Sequence, residues 1–288
     1  MQIVMEGIGY LNDKFISVEQ ALIPVYDRGM IFGDGIYEVI RWYGEDFFKA
    51  NEHFARMKIS AEAIGLKIPH VGLLKEIASK LARMNKMQGR EARLYIQITR
   101  GVARRTHHYP DPPVKPTLFM DISPFKPFVR LLNNGAEAIL HEDIRWQRCD
   151  IKTTALLPNT MVMQKAKKSG AYEAVFHDGK LITEGTHTNI FAIKNGMIST
   201  PPRSNKILAG ITRGLVLEFC KKSNYLARER NIMVDELLDA DEVFLTGTAT
   251  EITPVVKIDG NIIGTGRPGV VTRSLLNILN EETRKCKF

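Results

Sequence analysis

The 288-residue sequence predicts two α+β domains joined by a short proline-bearing linker. Three observations support this. Apolar residues alternate with period two in some segments and recur at helical spacing in others. Pro124 and Pro127 interrupt both patterns within Ser123-Pro124-Phe125-Lys126-Pro127-Phe128. Beyond them, strand-like segments dominate. The expected boundaries are an N-terminal α+β domain over 1–123, a linker over 124–130, and a C-terminal β-rich α+β domain over 131–288 that carries Lys152.

The first strands are expected at 15–18 and 21–25, followed by a clear one from Gly35 to Tyr43 with Gly44-Glu45 as its turn. Asn51 reads as an N-cap, after which Phe54, Met57, Ala61 and Ile64 recur at helical spacing and Gly65 closes the helix. Leu74, Ile77, Leu81 and Met84 mark a second helix, and Arg93 to Arg100 alternates as a strand. Pro110-Asp111-Pro112-Pro113 punctuates a loop. Further helices are predicted over 155–169, 211–223 and 268–283, the last opened by Pro268 in its first turn. Asn195-Gly196 supplies two positive-φ positions, so 189–199 reads as a type I′ hairpin.

Composition narrows the function classes. The chain is 44% hydrophobic and 25% charged, ordinary values for a globular protein. It has no run of roughly 18 apolar residues, so no membrane-spanning helix is expected. The segment Met1 to Gly7 lacks the basic region and apolar core of a secretion signal, which predicts a cytoplasmic protein. Cys149, Cys220 and Cys286 are too scattered for a disulfide framework or a zinc site. The net charge of +8 is spread along the chain without a basic tail. Nucleic acid is therefore not an expected partner, whereas phosphate or carboxylate ligands suit a mild positive excess.

Lys152 is expected to open a helix after a strand-like run, and Glu184 to end a strand before a glycine turn. A partly desolvated lysine amine beside a carboxylate suits Schiff-base chemistry with an aldehyde cofactor. Two segments are candidate anion sites. Leu208-Ala209-Gly210-Ile211-Thr212-Arg213 opens a helix whose first N–H groups lack partners, and Leu245-Thr246-Gly247-Thr248 is a small, hydroxyl-rich turn after a strand. Each is equally readable as an ordinary cap or polar turn.

Arg105 and His107, two apart in an extended segment, point the same way and suit one carboxylate; a solvated basic loop is the plainer alternative. His53 and Arg56 share one helix face. The glycine-rich 27–35 loop has neither Walker nor dinucleotide spacing, and the chain lacks Gly-x-Ser-x-Gly and His-Glu-x-x-His.

Seven ordered segments together resemble the fold-type IV pyridoxal-phosphate (PLP) transaminases, and within them the D-amino acid aminotransferases. They are Phe32 to Val39, Asn51 to Arg56, Arg105-Thr106-His107, Glu142-Asp143-Ile144-Arg145-Trp146 through Lys152, Glu184 through Asn189, Gly210 to Arg213, and Thr250 to Val255. The resemblance covers nearly the whole chain.

It implies pyridoxal 5'-phosphate as cofactor, Lys152 as Schiff-base lysine and proton shuttle, and Glu184 as partner of the pyridine nitrogen. Arg56, the Ile211 and Thr212 backbone, and Gly247-Thr248 would hold the phosphate, with the Thr212 and Thr248 hydroxyls adding hydrogen bonds. Leu208 would pack on the ring and Arg145 would lie near its 3-oxygen. Tyr37, Arg105 and His107 would bind the substrate carboxylate.

The implied activity is ping-pong transfer of an amino group from a D-amino acid to a 2-oxo acid such as pyruvate or 2-oxoglutarate, in a homodimer. Branched-chain L-amino acid transaminases and 4-amino-4-deoxychorismate lyases share the fold and remain alternatives. So does a catalytically silent PLP- or nucleic-acid-binding protein. Two departures stand out: Thr186-His187-Thr188 replaces a run of serines, and Gly247 replaces a hydroxyl residue.

Overall fold

The computed structural model describes residues 7–287; the segment read for a secretion signal lies, up to Glu6, outside the described residues. The chain packs into two compact units. The first comprises the chain up to Lys126, Ile151–Leu156 and the C-terminal end from Thr283; the second comprises Pro127–Asp150 and Leu157–Glu282.

In the first unit, β1 (Ile8–Leu11), β2 (Lys14–Ser17), β3 (Gly35–Tyr43), β4 (Glu91–Thr99) and β5 (Thr117–Pro124) form a sheet in the order β2-β1-β5-β4-β3. Its strand pairings are antiparallel throughout. Period two sorts its side chains. Ile36, Ile40, Leu94, Ile96, Ile98, Met120 and Ile122 enter a core with Phe54, Met57, Leu74, Ile77 and Leu81 from α2 (Ala50–Ala63) and α3 (Val71–Met84). Tyr37, Val39, Tyr95 and Gln97 alternate with them and so lie on the opposite sheet face. A short α1 (Arg28–Phe32) precedes β3, capped by Asp27 and closed by Gly33 at φ 66°.

Three local expectations change. Residues 21–25 form no strand; Leu22 and Val25 are exposed there, so the apolar run has no sheet face to bury. Lys49, at φ 55°, is the N-cap of α2 in place of Asn51, whose side chain instead accepts from Lys75 Nζ. The third concerns Lys152, which begins no helix. Tyr37 N donates to the Lys152 carbonyl at 3.0 Å and Thr154 N to the Gly35 carbonyl at 3.0 Å, so residues 151–156 run along β3 and belong to the first unit rather than to the C-terminal domain. Backbone pairing to a sheet edge outweighs the weak helical preference of so short a stretch.

The second unit contains β6 (Ala136–Glu142), β7 (Glu173–Asp178), β8 (Leu181–Gly185), β9 (Asn189–Lys194), β10 (Met197–Thr200), β11 (Ala227–Glu229), β12 (Glu242–Gly247), β13 (Glu251–Ile258) and β14 (Asn261–Ile262). Their order is β11-β10-β9-β12-β13-β6-β7-β8, with β14 on β13. The β9–β10 hairpin turns at Asn195 (φ 49°) and Gly196 (φ 75°), the conformation its Asn-Gly predicts. Helices α4 (Val129–Asn134), α5 (Leu157–Lys168), α6 (Ile211–Lys222), α7 (Val234–Leu238) and α8 (Val270–Arg284) complete the chain. α5 packs on β7 through Val162, Ala166, Ala174 and Phe176, and α6 lies against β12. No helix among the described residues is long and apolar enough to cross a membrane.

Candidate active site

In the first unit, Ser60 on α2 accepts from Lys152 N at 3.1 Å, while Thr153 and Thr154 hydroxyls donate to Gly33 and Gly35 carbonyls. These bonds fix the lysine backbone and leave its amine directed over the Tyr37 ring, with Nζ 4.3 Å from the centroid. Tyr37 in turn lies 5.9 Å from Tyr95, whose hydroxyl donates to Gln97 at 2.7 Å. Burial, reinforced by Tyr37, pushes the Tyr95 hydroxyl up to about 12.

Arg56 is held by Glu38, which the sequence reading overlooked. Nε reaches Oε1 at 2.7 Å and Nη2 reaches Oε2 at 2.9 Å, and His53 Nδ1 lies 2.8 Å from Oε2. Burial alone would raise the Glu38 carboxyl, but Arg56 and His53 overcome it and hold the group well below the usual carboxylate range. Burial lowers His53, and the cations Arg56 and Lys152 push the same way. The expected pairing of His53 and Arg56 on one helix face is present, with its anion supplied by β3.

Arg105 and His107 meet on Phe32. The guanidinium carbon lies 5.3 Å and the imidazole 5.8 Å from that ring's centroid. They occupy an irregular loop rather than a strand. Among the described residues no hydrogen bond, ion pair or ring contact joins Tyr37 to either of them.

In the second unit, β8 delivers a buried Glu184 with three protein donors. Arg145 Nη1 reaches Oε1 at 2.6 Å; Asn189 Nδ2 and Leu208 N reach Oε2 at 2.9 and 3.0 Å. Asn189 also donates to the Leu208 carbonyl at 2.9 Å, which fixes the segment before α6. Arg145 is clamped from the other side by Asp143 (Nε to Oδ1 2.9 Å, Nη2 to Oδ2 2.7 Å) and donates to the Lys206 carbonyl.

Burial pushes Glu184 up to about 7 against the pull of Arg145 and Leu208 N–H, with Asp143 adding to the rise. Asp143 stays below its ordinary value: burial opposes this, but the Arg145 guanidinium prevails. Burial dominates at Cys149, pushing the thiol up to about 12.

The two anion candidates lie in this unit as well. Gly210 is the N-cap of α6, so Ile211 and Thr212 sit in the first turn, where backbone N–H groups lack helical partners. A side chain at Gly210 would meet Asn189 Oδ1 at 2.0 Å, which explains the glycine. Gly247 ends β12 and Thr248 begins the following turn. Just before them, the buried Thr246 Oγ1 has no hydrogen-bond partner among the described residues.

The turn after Glu184 is pinned by Glu173, another residue the sequence reading missed. This buried carboxylate accepts from Thr186 N (3.1 Å) and Thr188 Oγ1 (2.8 Å), and lies 2.9 Å from His187 Nδ1. His187 itself is exposed.

These residues fit a phosphorylated pyridine. Two carboxylate oxygens offer about four acceptor positions, and three donors leave one on Glu184 for a ring N–H. The α6 first turn and the hydroxyl-bearing turn after β12 present donors suited to a phosphate. Of the residues missed, Asp143 carried a readable signal, since it precedes Arg145 by two in an extended run. Glu38 and Glu173 carried none, because their partners come from elements distant in the chain.

Residues 35–258 match the family model for amino-transferase class IV. The chain is 42% identical over 272 residues to a D-alanine aminotransferase of Staphylococcus aureus (strain N315), covering 94% of this chain and 95% of that one. It is 40% identical over 279 residues to the D-alanine aminotransferase of Bacillus licheniformis, covering 95% and 98%. Among solved structures, the Escherichia coli branched-chain amino acid aminotransferase superposes with a TM-score of 0.89 at 26% identity, covering 96% of this chain and 94% of that one. A T.th. branched-chain amino acid aminotransferase with pyridoxamine 5'-phosphate gives 0.89 at 27%, covering 98% and 96%. By this match and these relatives, the chain belongs to the class IV aminotransferases, enzymes that depend on pyridoxal phosphate.

Proposed function

We propose that this enzyme moves the amino group of a D-amino acid to a 2-oxo acid, pyruvate or 2-oxoglutarate, by a ping-pong cycle. PLP, when bound, supplies the electron sink and carries the amino group between half-reactions. Lys152 Nζ would hold the cofactor and take and return the proton at the substrate Cα. Glu184 would keep the ring nitrogen protonated, with Arg145 and Asn189 orienting the carboxylate. Arg56, the Ile211 and Thr212 N–H groups, Gly247 and the Thr212 and Thr248 hydroxyls would retain the phosphate, and Leu208 would back the ring.

Tyr37, Arg105 and His107 would bind the substrate carboxylate. A guanidinium offers that group a planar, two-pronged contact, and the side from which it is held determines which enantiomer turns its Cα–H to the lysine. The observation that carries the D-specific reading is the convergence of Arg105 and His107 on the Phe32 ring. The greater identity to D-alanine aminotransferases, 42% against 26% for a branched-chain enzyme of the same fold, also favours it.

No hydrogen bond, ion pair or ring contact joins Tyr37 to the Arg105–His107 pair among the described residues, which fits a carboxylate site completed by a second copy. The exposed apolar run of Leu22, Val25, Tyr26 and Met30 in the same unit supports a homodimer, which light scattering would test. We place the enzyme in the cytoplasm, without nucleic-acid or membrane partners.

The deciding experiment mixes purified holoenzyme with D-alanine or with L-leucine and follows the cofactor absorbance band. Loss of the band with D-alanine alone is the expected result. Loss with L-leucine alone would assign the chain to the branched-chain alternative. Lys152→Ala should abolish turnover while retaining cofactor non-covalently; full turnover in that variant would refute the role of the lysine.

A further inference from the structure

The Arg105–His107 pair is braced from behind by groups that the substrate would not touch. Arg28 is only 3% exposed. Its Nη1 donates at 2.8 Å to the carbonyl of Thr106, the residue between Arg105 and His107. Its Nε donates to Asp34 Oδ2 at 2.8 Å, and its guanidinium carbon lies 4.7 Å from the centroid of Phe32. The same ring carries Arg105 and His107.

Asp34 is shared with Arg100, whose Nε donates to it at 2.8 Å while Nη1 and Nη2 donate to the Gly65 and Ile64 carbonyls. Backbone bonds close the frame: Arg28 N to the Gly101 carbonyl at 2.9 Å, and Arg100 N to the Asp34 carbonyl at 3.0 Å.

We infer that Arg28 and Phe32 are positioning residues that set the direction in which Arg105 and His107 meet the substrate carboxylate; this rests on the carboxylate-binding role proposed for that pair. Arg105 and His107 lie in an irregular, exposed loop, so the loop alone does not hold them in one direction. Arg28 ties the middle of the loop to α1, and Phe32 offers a flat surface on which a guanidinium and an imidazole settle. Three of the contacts that define the pair's orientation thus converge on two residues four apart in α1. A displacement of about 1 Å in such a contact costs on the order of a hundredfold in reactivity, so this brace bears directly on substrate capture.

The test uses holoenzyme carrying Arg28→Lys or Phe32→Leu. Lysine keeps the charge beside Asp34 but lacks the fork that reaches Asp34 and Thr106 together. Leucine keeps apolar volume and removes the ring. Each variant is measured for KM and kcat with D-alanine, for thermal midpoint, and for the rate at which an alkylamine lacking a carboxylate discharges the cofactor band.

The expected result is a rise in KM for D-alanine of roughly tenfold, with kcat within about twofold and the alkylamine rate unmoved. An unchanged KM in both variants overturns the inference. A parallel fall of kcat, thermal midpoint and alkylamine rate also overturns it, since that is what a purely structural role would give. Arg105→Leu separates the two levels. If it leaves KM unchanged, the carboxylate-binding role itself fails. If it raises KM while Arg28→Lys and Phe32→Leu do not, only the positioning role fails.

Discussion

Two buried Arg–Glu pairs in this protein come out opposite. In the first unit Glu38 takes Arg56 on both oxygens and His53 besides, and it is held well below the ordinary carboxylate range. In the second, Glu184 has an equally close arginine, yet burial lifts it to about 7. The difference lies in how the cation is shared. Arg56 gives Glu38 two nitrogens, whereas Arg145 is gripped through two nitrogens by Asp143 and offers Glu184 only one. Asp143 also repels Glu184 directly. In the first pair the carboxylate is fully neutralised while it anchors α2 to β3. The second leaves its carboxylate under-neutralised and with a free acceptor position, ready for a further cation such as a protonated ring nitrogen.

The contrast is most exposed to Glu38→Gln. This change removes the charge that balances a buried guanidinium, so stability should fall by about 3–5 kcal/mol in urea unfolding. A loss under about 1 kcal/mol would break the comparison. Because the folded-state pKa of Glu38 is depressed, its contribution is present above the ordinary carboxylate value of about 4.3 and is lost as pH falls through the folded value. The gap between wild type and variant should therefore close on acidification.

Glu184→Gln should behave differently. We expect kcat to fall on the order of 10²–10³-fold, since the carboxylate proposed to partner the cofactor ring nitrogen loses its charge, while the unfolding midpoint moves less than in Glu38→Gln. Equal losses of stability in the two variants would erase the distinction.

The smallest effect concerns Asp143→Asn, which should lower the Glu184 pKa. A raised acid contributes stability present below its unfolded pKa of about 4.3 and lost as pH rises to its folded value, here about 7. Cofactor-free wild type should thus lose some stability between those values, and Asp143→Asn should shift that loss to lower pH. An unshifted profile would show that Asp143 does not govern Glu184.

Much of the architecture was legible because it is periodic. Even-numbered residues of β3 and β4 face the core, and the helical recurrence of Leu74, Ile77 and Leu81 identified α3. Legibility failed where a segment's state depends on a distant partner. Residues 21–25 are as apolar as a strand but lie exposed, and Lys152 is held extended by β3 although its own neighbours suggested a helix.

The candidate site divides in the same way. Lys152, Glu184, the α6 first turn, the turn after β12 and the Arg105–His107 spacing were readable as chemistry, since each signal is local in the chain. Glu38, Glu173 and Arg28 act through partners from 13 to 78 residues away, as Arg28 does on Thr106.

The sequence by itself determined the residue types, their order and their local periods, and these were enough to identify a class IV aminotransferase. Only the tertiary structure decided which carboxylate is neutralised and which is left demanding a cation. The reason is physical. A pKa or an orientation depends on burial and on charges a few ångströms away, and those neighbours are assembled by packing rather than by adjacency in the chain.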